Sequence, residues 1–142
     1  MDHQQLALAV RYLHVAAMAT AFGGALLITW LAWRLPAARI VDVALRYEQL
    51  FWLAIGVLVM TGVGNLGAFG DGLPAPASGW GRAFIAKLVL IAALLIVSLP
   101  RSLAVARMAA TSASGAGVRS IYTATSGLLA GIVALALELA HG

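Results

Sequence analysis

The stretch YLHVAAMATAFGGALLITWLAW, residues 12–33, runs for 22 positions without a Lys, Arg, Asp or Glu. About 20 apolar residues in helical conformation cross the hydrocarbon of a bilayer, so this block is long enough to span one alone. A signal-peptide apolar region is about 7–15 residues long and follows a basic segment. Here the preceding residues are Met1-Asp2-His3-Gln4-Gln5, so the block reads as a transmembrane helix. Working outward from it, three more apolar blocks follow. The expected spans are about 6–33, 49–68, 82–99 and 119–140, all in a single domain. Each must be helical, because lipid offers no partner to an unpaired backbone N–H or C=O. The expected fold class is therefore all-α, an integral membrane four-helix bundle.

Composition excludes the main alternatives. Of 142 residues, 63% are hydrophobic and 10% charged, whereas a soluble domain carries about 25% charged residues. Too few polar residues exist to coat a soluble domain of this size. The net charge of +4 comes from arginines at the ends of apolar blocks, which reads as membrane orientation and not as a nucleic-acid stripe. The lipid bilayer, with other membrane subunits, is the expected partner; nucleic acid is not. The chain has no cysteine, which removes disulfides, thiolate metal sites and thiol redox chemistry. It also lacks a hydrolase triad and the glycine patterns of nucleotide-binding loops, so no enzyme class is assigned.

The connections are punctuated by Arg34-Leu35-Pro36, by the turn-rich segment 67–81 and by the small-residue linker 111–117. Pro36 is expected to separate the first two helices, and Pro100 to end or kink the third. The first connection carries Arg34, Arg39 and Arg46, and the third carries Arg101, Arg107 and Arg119. The second holds Asp71 and Arg82. Positively charged loops stay in the cytoplasm, which puts both termini on the outer, periplasmic side of a bacterial inner membrane. Trp30, Trp33 and Trp52 then fall near the inner interface and Trp80 near the outer one, as an aromatic belt requires.

Four ionisable residues fall within the spans, all in the outer half: Arg11, His14, Lys87 and Glu138. Each costs roughly 2.5–3.5 kcal/mol at mid-membrane, so each needs a compensating partner. Arg11, His14 and Met18 share a helical face with Ala21 and Ala25, and small residues mark helix contacts in membranes. Met60 shares a face with Leu53, Gly56, Gly64 and Gly67, and Glu138 continues the row Gly127, Gly131, Ala134. For Lys87 the neighbouring residues do not separate an inner face from a lipid face. His14 and Met60 are each about 8 residues from the outer end of their helices, roughly 12 Å deep, a depth at which they can meet. An imidazole opposite a thioether suits a Cu(I) ion, with Met18 as third ligand, or the axial positions of a haem b iron. Arg11 then lies where haem propionates would point, and Lys87, Glu138 and His141 complete a supporting polar cluster. The bland alternative remains beside these: a histidine that bonds across helices, with methionine as core filler.

Several motifs resemble the bacterial copper-resistance D (CopD) family of small integral membrane proteins. They are Arg11-Tyr12-Leu13-His14 followed by Phe22-Gly23-Gly24, then Arg46-Tyr47, Val59-Met60-Thr61-Gly62, Gly79-Trp80-Gly81-Arg82 and Lys87-Leu88. The likeness covers about residues 11–107; the fourth helix matches in hydrophobicity only. It implies copper handling at the periplasmic face, with His14 as a metal ligand and Lys87 important to the site. A distant similarity extends to the haem-associated membrane protoporphyrinogen oxidase of bacteria (HemJ) in size, in the first-helix histidine and in the third-helix lysine. The chain departs from that relative at Leu99-Pro100, which stands where a further histidine is expected. Three readings follow: a copper-handling protein, a b-type haem redox protein or subunit, and a cofactor-free structural subunit of a larger membrane complex.

Overall fold

The computed structural model describes residues 3–67, 75–111 and 116–141. Four helices account for nearly all of them: α1 (His3–Leu31), α2 (Ala37–Gly67), α3 (Gly79–Thr111) and α4 (Ala116–His141). All four are long and apolar enough to cross a membrane. The chain is an all-α four-helix membrane bundle, as the apolar blocks imply.

Two helix boundaries differ from expectation. α2 begins at Ala37 and not near residue 49, and α3 runs through Pro100 to Thr111 instead of stopping near residue 99. Over 39–48 the chain is amphipathic: Ile40, Val41, Ala44, Tyr47 and Glu48 are buried, while Arg39, Asp42 and Arg46 are exposed. Charge does not end the helix, which carries these residues with their charges on its exposed face. Pro100 sits on an exposed face, and membrane helices tolerate an internal proline when its surroundings satisfy the freed backbone groups. With 33 residues, α3 is about 50 Å long against a hydrocarbon thickness of about 30 Å. The helix is therefore longer than a perpendicular crossing of the hydrocarbon needs.

The buried positions repeat at alternating steps of four and three. Examples are Ala21, Ala25 and Ile28 on α1, Leu94, Ser98, Arg101 and Val105 on α3, and Val118, Tyr122, Thr125, Leu129 and Ile132 on α4. This is the spacing of knobs-into-holes bundles. Packing runs round the ring α1–α2–α3–α4, most extensive at α1–α2 and least at α2–α3. α2 and α4 touch across one diagonal; α1 and α3 make no backbone contact across the other among the described residues. Large apolar side chains such as Leu8, Ile96 and Leu103 point outward, while the centre holds alanines, aromatic rings and polar groups. That distribution suits a protein whose solvent is lipid, where small residues let helix backbones approach. Gly24 shows the requirement at one point: a Cβ there would lie 2.2 Å from Cε2 of Tyr47, whose hydroxyl donates to the Ala21 carbonyl.

The segment before α3 is capped locally. The Ser78 hydroxyl accepts from the Gly81 amide at 2.9 Å, and the Ser78 amide donates to the Ala75 carbonyl at 3.0 Å. A Cβ on Gly81 would stand 2.1 Å from that carbonyl oxygen, so only glycine fits the close approach.

Candidate functional site: a histidine layer and a buried ion pair

Polar groups inside the bundle form two layers. The first is near the end that carries the termini. His14, half-buried on α1, is 2.8 Å from the Thr61 hydroxyl on α2 through its Nδ1. The Thr61 hydroxyl has one proton, and its closest acceptor is the Val57 carbonyl at 2.6 Å. With that donation made, Thr61 accepts from His14, an arrangement in which Nδ1 carries the imidazole proton and Nε2 the lone pair. No hydrogen bond engages Nε2 among the described residues. Gly62 lies beside the ring, with Cε1 of His14 3.8 Å from where its Cβ would be. Lys87 on α3 is half-buried toward the same end, and α1 and α3 make no backbone contact among the described residues.

The other expected site residues fall less favourably. Met60 does not join His14. It is 77% exposed, and the face it shares with Leu53, itself 67% exposed, and Gly56 looks outward. Successive helical residues are about 100° apart, so placing Thr61 against α1 turns Met60 away. The glycine row that marked this face as interior is misleading, because nothing lies within 4 Å of a Cβ built on Gly56. Met18 lies one turn along α1 from His14 and packs against the core as a partly buried hydrophobe. Arg11 is exposed. Glu138 is also exposed and lines an open cleft with Trp80 and Arg82, where α3 begins and α4 ends. Gly127 faces open space, whereas Gly131 packs against Leu90, so the glycine pair on α4 is only half used. The side chain of His141 lies outside the described residues. Among the described residues, no three His, Asp or Glu side chains converge on a common metal position.

The second layer is at the arginine end and was not anticipated. The Arg101 guanidinium grips the Glu48 carboxylate with two bonds, Nε to Oε1 at 2.9 Å and NH2 to Oε2 at 3.0 Å. Side-chain exposure is 0% for Arg101 and 7% for Glu48. The hydroxyls of Ser102 and Tyr122 also donate to the carboxylate. Arg101 donates to Thr125 at 3.1 Å, and Trp52 Nε1 donates to Ser102 at 2.9 Å. The guanidinium carbon is 4.1 Å from the Phe51 ring centre and 5.3 Å from that of Tyr122, so aromatic faces cover the charge. This layer joins α2, α3 and α4. A Thr29–Ser126 hydrogen bond of 3.2 Å adds α1 to α4 nearby. The Ser98 hydroxyl, one turn from Ser102, is buried without a hydrogen-bond partner among the described residues.

Sequence reading assigned Arg101 to a loop and placed Glu48 just outside a span. One signal was available: Arg101 is in phase with Leu94, Ser98 and Val105 once the helix is allowed to continue through Pro100.

The fold and these layers define a four-helix integral membrane protein with a histidine held between its first two helices. Compared with known proteins, the chain matches no family, and neither a curated protein nor a solved structure is significantly similar to it.

Proposed function

We propose that this chain is a CopD-like, multi-pass protein of the bacterial inner membrane that binds haem b through His14 on the periplasmic side. The observation that carries the reading is the His14–Thr61 hydrogen bond: with the Thr61 hydroxyl donating to the Val57 carbonyl, Nδ1 keeps the proton and Nε2 is left as a ligand atom. Such partner-fixed histidines are the usual form of metal ligands.

The choice of haem over a bare copper ion rests on ligand supply. A lone ion needs several protein donors, and with Met60 turned outward this site offers few. A porphyrin brings four equatorial nitrogens and asks the protein for only one or two axial groups. The local charge agrees: Lys87 and Arg11 lie at the same end of the bundle as His14, and neither forms an ion pair among the described residues. Two cations disfavour a third but suit a macrocycle with two propionates. When bound, haem iron supplies one-electron redox chemistry. The chain's part is to orient the imidazole through Thr61, to counter the propionate charges through Lys87 and Arg11, and to exclude water with the helices around the site. Loop arginines orient the bundle with its termini periplasmic.

Protein purified from haem-replete cells is expected to be red, with a Soret band that His14→Ala removes. A colourless wild type holding stoichiometric copper supports the copper reading instead. A colourless, metal-free preparation leaves the cofactor-free subunit.

A further inference from the structure

The arginine end of the bundle carries a second recognition surface, independent of the histidine layer. Arg34, Arg39, Arg46, Arg107 and Arg119 are all exposed there, and Asp42 is the exposed acid among them. None of the five forms an ion pair among the described residues. General loop charge of this kind sets orientation, but one corner is more organised than orientation requires.

At the junction of α1 and α4, the Arg119 guanidinium lies 3.8 Å from the Trp33 ring centre and donates to the Ala32 carbonyl at 3.3 Å. Its other N–H groups make no hydrogen bond among the described residues. The turn after α1 is fixed by bonds from the amides of Trp33, Arg34 and Leu35 to the carbonyls of Trp30 and Leu31. This holds Arg34 with its guanidinium 5.8 Å from the Trp30 ring centre. Trp30 and Trp33 are both more than half exposed and sit where helix α1 leaves the apolar span. Two arginines are thus held against two indole faces, next to the apolar surface of Leu26 and Leu27, which are also exposed.

We infer that this corner binds the phosphodiester headgroup of an anionic phospholipid, its acyl chains lying along the apolar surface beside Trp30. Guanidinium groups bind phosphate in forked geometry, and stacking on indole fixes their direction before the lipid arrives. Indole belongs at the depth where headgroup meets acyl chain. A soluble acidic protein would match the charge but not the exposed leucines below it. The bound lipid would bridge α1 and α4 at their seam.

The test compares phosphatidylglycerol with phosphatidylcholine on delipidated, detergent-solubilised full-length protein, by native mass spectrometry and thermal unfolding. Each arginine near an anionic headgroup contributes about fivefold, so the corner should prefer phosphatidylglycerol by roughly 30-fold. The Arg34→Gln/Arg119→Gln variant should lose the preference and the thermal shift. Arg39→Gln/Arg107→Gln, with the same net charge, should keep both. Equal loss in the two variants overturns the inference, since diffuse rim charge then explains the binding. Should Arg34→Gln/Arg119→Gln fail to fold, the wild type still decides: no preference for phosphatidylglycerol over phosphatidylcholine refutes the site, and a preference that survives in Arg39→Gln/Arg107→Gln supports it.

Discussion

Glu48→Ala gives the sharpest test of the packing. The substitution removes the acceptor of two Arg101 bonds and of the Ser102 and Tyr122 hydroxyls. If those four contacts were worth only what neutral interhelical bonds in membranes average, about 0.6 kcal/mol each, the loss would be near 2 kcal/mol. The larger effect is the charge left behind. Arg101 has no exposed side-chain surface, and breaking a buried pair by removing one partner costs about 3–5 kcal/mol. Phe51 and Tyr122 contact the guanidinium in both proteins and hold the cost toward the lower part of that range. The expected destabilisation is therefore about 3–4 kcal/mol, measured by equilibrium unfolding in mixed micelles. Arg101→Met alone should cost a similar amount by stranding the carboxylate. The double variant Glu48→Leu/Arg101→Met removes both charges and should fall within about 1–2 kcal/mol of wild type. A loss below about 2 kcal/mol in Glu48→Ala, or a double variant as unstable as the summed singles, refutes the claim that this pair is dry.

Three further outcomes are expected. Gly24→Ala should destabilise by about 1–3 kcal/mol by forcing Tyr47 off α1, whereas Gly23→Ala, with open space at its Cβ, should be neutral or slightly stabilising; thermal unfolding separates them. Ser78→Ala should cost about 1 kcal/mol by uncapping α3, and Gly81→Ala should cost more because its Cβ meets the Ala75 carbonyl; amide exchange over the first turn of α3 would register both. At the histidine layer, Thr61→Val should weaken cofactor affinity about 10- to 100-fold by freeing the imidazole. Met60→Ala should leave stability within about 0.5 kcal/mol and the absorption spectrum unchanged, and a Soret shift in that variant would place the thioether at the iron.

The bundle was legible because bilayer thickness is a hard constraint: an uncharged block of about 20 residues has few other uses. Helix ends were not, since the charges of 39–48 and Pro100 mark where hydrocarbon stops, and a helix need not stop there. The inward face of His14 was legible from Met18, Ala21 and Ala25, of which the two alanines are buried. The face of Met60 was misread for an instructive reason. Glycine lets helices approach but does not compel them to, so Gly56 can face outward while Thr61, next to Met60, carries the contact. The Glu48–Arg101 pair lay beyond sequence reading because it depends on the relative register of two helices.

The separation of the two layers bears on what the bundle can do. Lys87 and Arg101 lie on the same helix, 14 residues apart, hence about 21 Å along its axis. Between them the interior is closed by Leu94, Leu129, Ile28 and Ala25, and the one buried polar side chain of α3 in that interval is Ser98. A conducted ion would have to cross this apolar stretch and then displace a carboxylate already bound by an arginine and two hydroxyls. Each step opposes passage: the first for lack of ligands, the second because the pair is neutral and its carboxylate already has donors. Such an arrangement argues against a conduction path that runs through the bundle.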